Sequence, residues 1–143
     1  MFNFLKKVLS IFIIFNLTFV SSAQAAATFD DINGDGTGFV VETQGTNPHS
    51  VAFNNDGTKM FVVDKGDEEI NVYTLTTGFD LSTATLKSRF DVSGQETSPN
   101  TLLFNGDGTK MFLLGRAGDD VNVYTLSTGF DLSTATFNDI NGD

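Results

Sequence analysis

The chain has 143 residues, 40 % hydrophobic and 18 % charged, with 14 Gly, 2 Pro, 15 Phe and neither Cys nor Trp. That is ordinary globular composition with an aromatic core, and it excludes disulfide and thiolate chemistry. The net charge of −10 leaves no basic stripe to neutralise phosphates, so nucleic acid is excluded as a partner.

Residues 1–25 read as a signal peptide. Lys6 and Lys7 precede an apolar run over residues 8–20, and Ser21-Ser22-Ala23-Gln24-Ala25 carries small residues at the Ala-x-Ala cleavage positions. About 13 apolar residues fall short of the roughly 20 that a membrane span needs, so cleavage is favoured over a retained anchor. The mature chain then starts at Ala26 with six basic against eighteen acidic residues, and is secreted, periplasmic or on the cell surface.

Residues 26–45 read as a partial structural unit with an acidic insertion. Phe39-Val40-Val41 falls over Phe90-Asp91-Val92 at an offset of 51, and six extra residues interrupt the pattern just before it. Asp31, Asn33, Asp35 and Gly36, followed by Glu42, match the spacing of an EF-hand calcium loop, in which alternate oxygen ligands converge on one hard cation. No helical period flanks the stretch. The alternatives are therefore a true EF-hand, a calcium loop without helices, and an acidic hairpin that binds nothing specific.

Residues 46–85 repeat as residues 97–136 without a gap, with 24 identities in 40 positions. A period near 50 signals a supersecondary unit that buries its faces against copies of itself. Within the first copy, strands are expected over residues 49–53 and 59–63, the latter apolar on both faces, joined by the Asp56-Gly57 turn. A third strand over residues 70–75 sets Ile70, Val72 and Thr74 against Asn71, Tyr73 and Leu75. A fourth, over residues 86–92, has Lys87, Arg89 and Asp91 on its outer face and reads as a solvated edge.

Four antiparallel strands per unit are the pattern of a β-propeller blade, so the fold class is all-β: two four-stranded blades plus a partial one. The blades are placed at residues 46–96 and 97–143. Ser50-Val51-Ala52-Phe53-Asn54-Asn55-Asp56-Gly57-Thr58-Lys59-Met60-Phe61-Val62-Val63 and Ile70-Asn71-Val72-Tyr73-Thr74-Leu75 resemble the blades of exported bacterial YVTN-type or NHL-like propellers. That resemblance implies a binding or interaction platform with no fixed catalytic residues.

The remaining polar candidates read as scaffold. His49, the sole histidine, has Asn100 as its counterpart and reads as a polar residue at a strand start. Asp64, Asp67, Glu68 and Glu69, with Asp119 and Asp120, read as the solvated rim of a hairpin, with a cation or ligand contact as the alternative. Asp80, ahead of Ser82 and Thr83, recurs as Asp131 and reads as the cap of a helical turn.

The function expected from these features is an exported binding module for a protein or a glycan, and not an enzyme. A calcium-binding surface protein is the alternative, and a propeller hydrolase such as a lactonase stands behind it. Two blades do not close a ring of about four to eight, so the chain is expected to be a piece of a longer propeller or to close a ring by self-association. Intact-mass measurement of the exported chain should place its first residue near Ala26. Calcium titration of that chain should show saturable uptake that Asp31→Ala with Asp35→Ala removes; absence of any heat or melting shift at millimolar calcium leaves only the acidic hairpin.

Overall fold

The computed structural model describes residues 38–41 and 44–138. Two four-stranded antiparallel sheets follow one another along the chain. The first is β1 (Pro48–Phe53), β2 (Lys59–Asp64), β3 (Glu69–Leu75) and β4 (Ala84–Asp91), and the second is β5 (Pro99–Phe104), β6 (Lys110–Gly115), β7 (Val121–Leu126) and β8 (Ala135–Asn138). Each strand pairs with the next in sequence, giving the meander of a propeller blade.

The turns follow from local chemistry. Between β1 and β2, Asn54 Oδ1 accepts from the Lys59 N–H at 2.8 Å, and Asp56 accepts from both the Thr58 N–H at 3.0 Å and its hydroxyl. Gly57 takes φ +71°, and a side chain there would strike the ring of Phe79, which lies over it. Between β3 and β4, Asp80 caps a 3₁₀ turn (Leu81–Thr83) by accepting from the Ser82 N–H, as expected. The same bonds recur around Asn105, Asp107 and Asp131.

The two sheets pack face to face, closest at β1, β2 and β5. Phe61, Val63, Ile70 and Val72 from the first sheet interlock with Leu102, Met111, Leu113, Tyr124 and Leu126 from the second, all buried in one cluster. Both faces of β2 and β3 are apolar because both are covered. The opposite side of the first sheet, Met60, Val62, Tyr73 and Leu75, is covered by Phe39 and Val41. Phe39 meets Tyr73 edge-on at 5.6 Å, as Phe90 meets Tyr124 at 5.7 Å. Three polar bonds also cross the interface: His49 to Asn100, Asn55 Nδ2 to the Gly106 carbonyl at 2.7 Å, and Lys59 Nζ to the Phe130 carbonyl at 2.8 Å.

β4 is the solvated edge that its alternation suggests. Lys87, Arg89 and Asp91 are exposed, Arg89 lies 3.4 Å from the Glu69 carboxylate, and the register shifts between Val72 and Tyr73.

Tyr124 ties this interface to pH. Its hydroxyl donates to Gln95 Oε1 at 3.3 Å, and burial, reinforced by Asp91 and Glu96, pushes it up to about 12 from 10.0. Between those values the unfolded chain has released the proton and the folded chain still holds it. Stability is therefore unaffected below pH 10 and falls as pH rises toward about 12. Tyr73 is raised in the same direction, also mainly by burial. Tyr124→Phe should flatten part of this alkaline loss in urea melts taken across that range; parallel loss in both proteins would remove Tyr124 as a source.

Candidate active site on the inner strand edge

β1 and β5 lie side by side where the two sheets come together, so their side chains form the inner edge of the blade pair. The beginnings of these strands bring together two positions that are 51 apart in sequence. His49 Nδ1 and Asn100 Oδ1 are 2.9 Å apart. An amide oxygen only accepts, so Nδ1 is the donor in this bond. His49 is exposed, so its ring is held by Asn100 and open to a solute.

What holds the two strand starts in place is a buried carboxylate in each blade. Asp64 is fully buried, its Oδ2 accepting from the Asn47 N–H at 2.9 Å and its Oδ1 from the Asp67 N–H at 2.8 Å. In the second blade the position of Asp64 is Gly115, and the carboxylate comes from Glu96, whose own counterpart is Gly45. Glu96 accepts from the N–H groups of Ser98, Ala117 at 3.1 Å and Gly118 at 3.4 Å. Ser98 and Gly118 are the counterparts of Asn47 and Asp67.

One carboxylate therefore fills the same pocket of backbone donors in both blades, but it arrives from opposite directions. A side chain on Gly45 would meet the Asp64 carboxylate, and one on Gly115 would meet that of Glu96. There is room for one acid only. Charge-assisted bonds to backbone N–H groups compensate its desolvation. Asp64 thus departs from the solvated hairpin rim expected for it, because its side chain turns inward beneath the hairpin instead of following the exposed Asp67.

The same end of the blades carries the β2–β3 and β6–β7 hairpins. None of the seven residues at 64–70 is retained at 115–121, whereas 78–85 and 129–136, at the other end, are identical. Glu69, at the start of β3, has its carboxyl raised, first by burial and with Arg89 opposing. Among the described residues no three histidine or acidic side chains come close enough to share a metal ion. Asp31, Asn33, Asp35 and Glu42, the calcium candidates, lie outside the described residues.

Residues 16–140 match the family described as "Lactonase, 7-bladed beta-propeller". The chain belongs to this lactonase family. A functionally unknown protein from Desulfotomaculum acetoxidans shares its fold, at 21 % identity and a TM-score of 0.52 over 73 % of this chain and 29 % of that one. A protein from Lactobacillus plantarum is similar at 22 % identity and a TM-score of 0.48, over 64 % and 24 % of the two chains. A 6-phosphogluconolactonase candidate from Bacteroides fragilis is similar at 12 % identity and a TM-score of 0.48, over 66 % and 24 %. The chain thus spans less than a third of the length of each of these structures. No curated protein matches it.

Membership of the lactonase family corrects the expectation that the chain is not an enzyme. That expectation came from looking for several chemically distinct residues that break the repeat. An inner edge built from many blades needs only one or two such residues from each. His49 and Asn100 are a pair at this edge at which the repeat is broken, visible in the sequence as a histidine facing a different polar residue at one repeat position.

The carboxylate exchange makes a specific prediction. Glu96→Gly should cost about 1–3 kcal/mol by removing the carboxylate that accepts from Ser98, Ala117 and Gly118, and Gly115→Asp should cost more by crowding Glu96. Combining the two rebuilds the arrangement of the first blade, so the double variant should be more stable than Gly115→Asp alone. Additive losses in a urea double-mutant cycle would show that the two carboxylates do not share one pocket.

Proposed function

We propose that the chain supplies blades to an exported lactone hydrolase in which His49 is the general base and Asn100 orients it. The hydrogen bond between these two side chains, at the inner edge of a lactonase-family propeller, carries the reading. Nε2 of His49 takes a proton from water as the water oxygen attacks the lactone carbonyl carbon. The tetrahedral oxyanion then collapses, the ring C–O bond breaks, and the imidazolium returns its proton to the departing ring oxygen. The product is an open hydroxy acid. The acid loses its proton to solvent, and the exposed acidic hairpin residues Asp67, Asp119 and Asp120 at this end repel the resulting carboxylate and favour its release, within the range that salt screening leaves. Since the chain covers 29 % of the Desulfotomaculum structure, the activity is proposed for the assembled propeller.

Binding of a protein or glycan is the second reading, favoured by the divergence of residues 64–70 from 115–121 at an exposed end. His49→Asn separates the two, since it installs the residue that the second blade already tolerates at that position. Assayed on a panel of lactones of different ring size, the variant should keep its fold and lose about 10²- to 10⁴-fold in kcat. Equal turnover in both proteins would sink the role of His49. A folded wild-type protein that opens none of the lactones would leave binding as the function.

A further inference from the structure

The sequence holds only two prolines, Pro48 and Pro99, and both stand directly before the residues that meet at the inner edge. Around them the repeat varies: Asn47 becomes Ser98, His49 becomes Asn100 and Ser50 becomes Thr101. In β1, Pro48 pairs with Asp64 and Ser50 with Val63, so two steps on one strand answer one step on the other. In β5, Pro99 pairs with Gly115 and Thr101 with Leu114, the same offset. Each strand therefore opens with a one-residue bulge, and the extra residue is His49 in the first blade and Asn100 in the second.

The bulge decides where His49 points. Further along β1, Ala52 packs against the cluster between the blades, whereas Val51 stands on the other face and is 57 % exposed. Regular alternation carried back to the strand start would turn His49 with Val51, away from the second blade. Its ring instead reaches Asn100 on that blade. The chain is fixed on both sides of the bulge: Asn47 donates its N–H to Asp64 and accepts from the Lys65 N–H at 2.9 Å, and Ser98 does the same with Glu96 and the Arg116 N–H at 3.2 Å. Between that anchor and the paired Ser50 or Thr101, proline locks φ at its own position, keeps the residue ahead of it extended, and offers no N–H with which the strand could run regular to its start.

We infer that Pro48 and Pro99 are positioning residues: each fixes the bulge that takes the next side chain out of strand alternation, and together they aim His49 and Asn100 at one another. A proline that stays while its neighbours change fits this role, since the backbone geometry is required at one position and a particular side chain only at the next. How far this aim serves turnover rests on the proposed role of His49 as base; the aim itself does not.

His49 is the sole histidine, so its two ring nitrogens give one unobscured pair of signals in nitrogen NMR of the full chain. At about pH 9, above the range in which histidines ordinarily titrate, the wild-type ring should hold its proton on Nδ1, the donor to Asn100. Pro48→Ala and Pro99→Ala should each keep the β-sheet circular dichroism and shift that proton toward Nε2, the form a histidine favours when nothing holds it. If Pro48→Ala does not fold, Pro99→Ala carries the test from the other side of the bond. Leu75→Ala loosens the first sheet at its far end, where Leu75 is buried in one cluster with Met60 and Tyr73, and should leave the ring as in the wild type. On lactones, the two proline variants should lower kcat about 10- to 10²-fold with KM little changed. A wild-type ring protonated on Nε2, an Nδ1 proton retained in either folded proline variant, or an equal shift in Leu75→Ala overturns the inference. Shifted rings with no lactone opened by the wild type, or with kcat unchanged, leave the positioning intact and overturn the proposed role of His49 instead.

Discussion

The constraint behind this structure is that a sheet apolar on both faces must be covered on both sides. β2 and β3 present Phe61, Val63, Ile70 and Val72 to one neighbour and Met60, Val62, Tyr73 and Leu75 to the other. Neither set tolerates water, and one sheet cannot fold over itself to hide both. Stacking of similar sheets solves the problem with one surface type repeated. The hairpin turns, the 3₁₀ turns and the cross-interface bonds of Asn55 and Lys59 all hold the sheets in a shape that stacks.

The two ends of the blades have divided the labour. At the end with the Asp-Gly turns, residues 53–61 recur unchanged at 104–112 except that Asn55 becomes Gly106, and the turn bonds of Asn54 and Asp56 recur with them. Asp56 and Asp107 there have their carboxyls held below the usual range by the hydroxyls of Thr58 and Thr109. Phe79 and Phe130 accept φ of 62° and 58°, an uncommon backbone for a bulky residue, because the ring must lie over Gly57 or Gly108. Such demands leave no freedom for chemistry. The opposite end retains none of the residues at 64–70, and that is where His49 and Asn100 meet.

The exchanged carboxylate shows how a scaffold can stay constant while its residues move. Backbone donors at the strand start and in the hairpin require one acceptor, and the fold accepts it from Asp64 in one blade and from Glu96 in the other. Each acid is matched by a glycine where the other would stand. The strand starts that bear His49 and Asn100, each two residues beyond a donor to this carboxylate, are held in the same way in both blades.

Much of the fold was legible in the residue order, because strand periodicity, Asp-Gly turns and the 51-residue repeat are local signals. They located all four strands of the first blade to within about two residues, the cap at Asp80 and the solvated face of β4. The sequence by itself also determined that both faces of β2 must be buried. What it left open depended on which distant residues meet. A histidine and an asparagine stand at one repeat position, 51 residues apart, and only the strands laid side by side put them 2.9 Å apart. Asp64 and Glu96 sit at different repeat positions, so alignment kept them apart, and only the tertiary structure brought both to one kind of pocket. Hydrophobic pattern specifies a surface, whereas a site is specified by which surfaces touch, and that is decided when the blades stack.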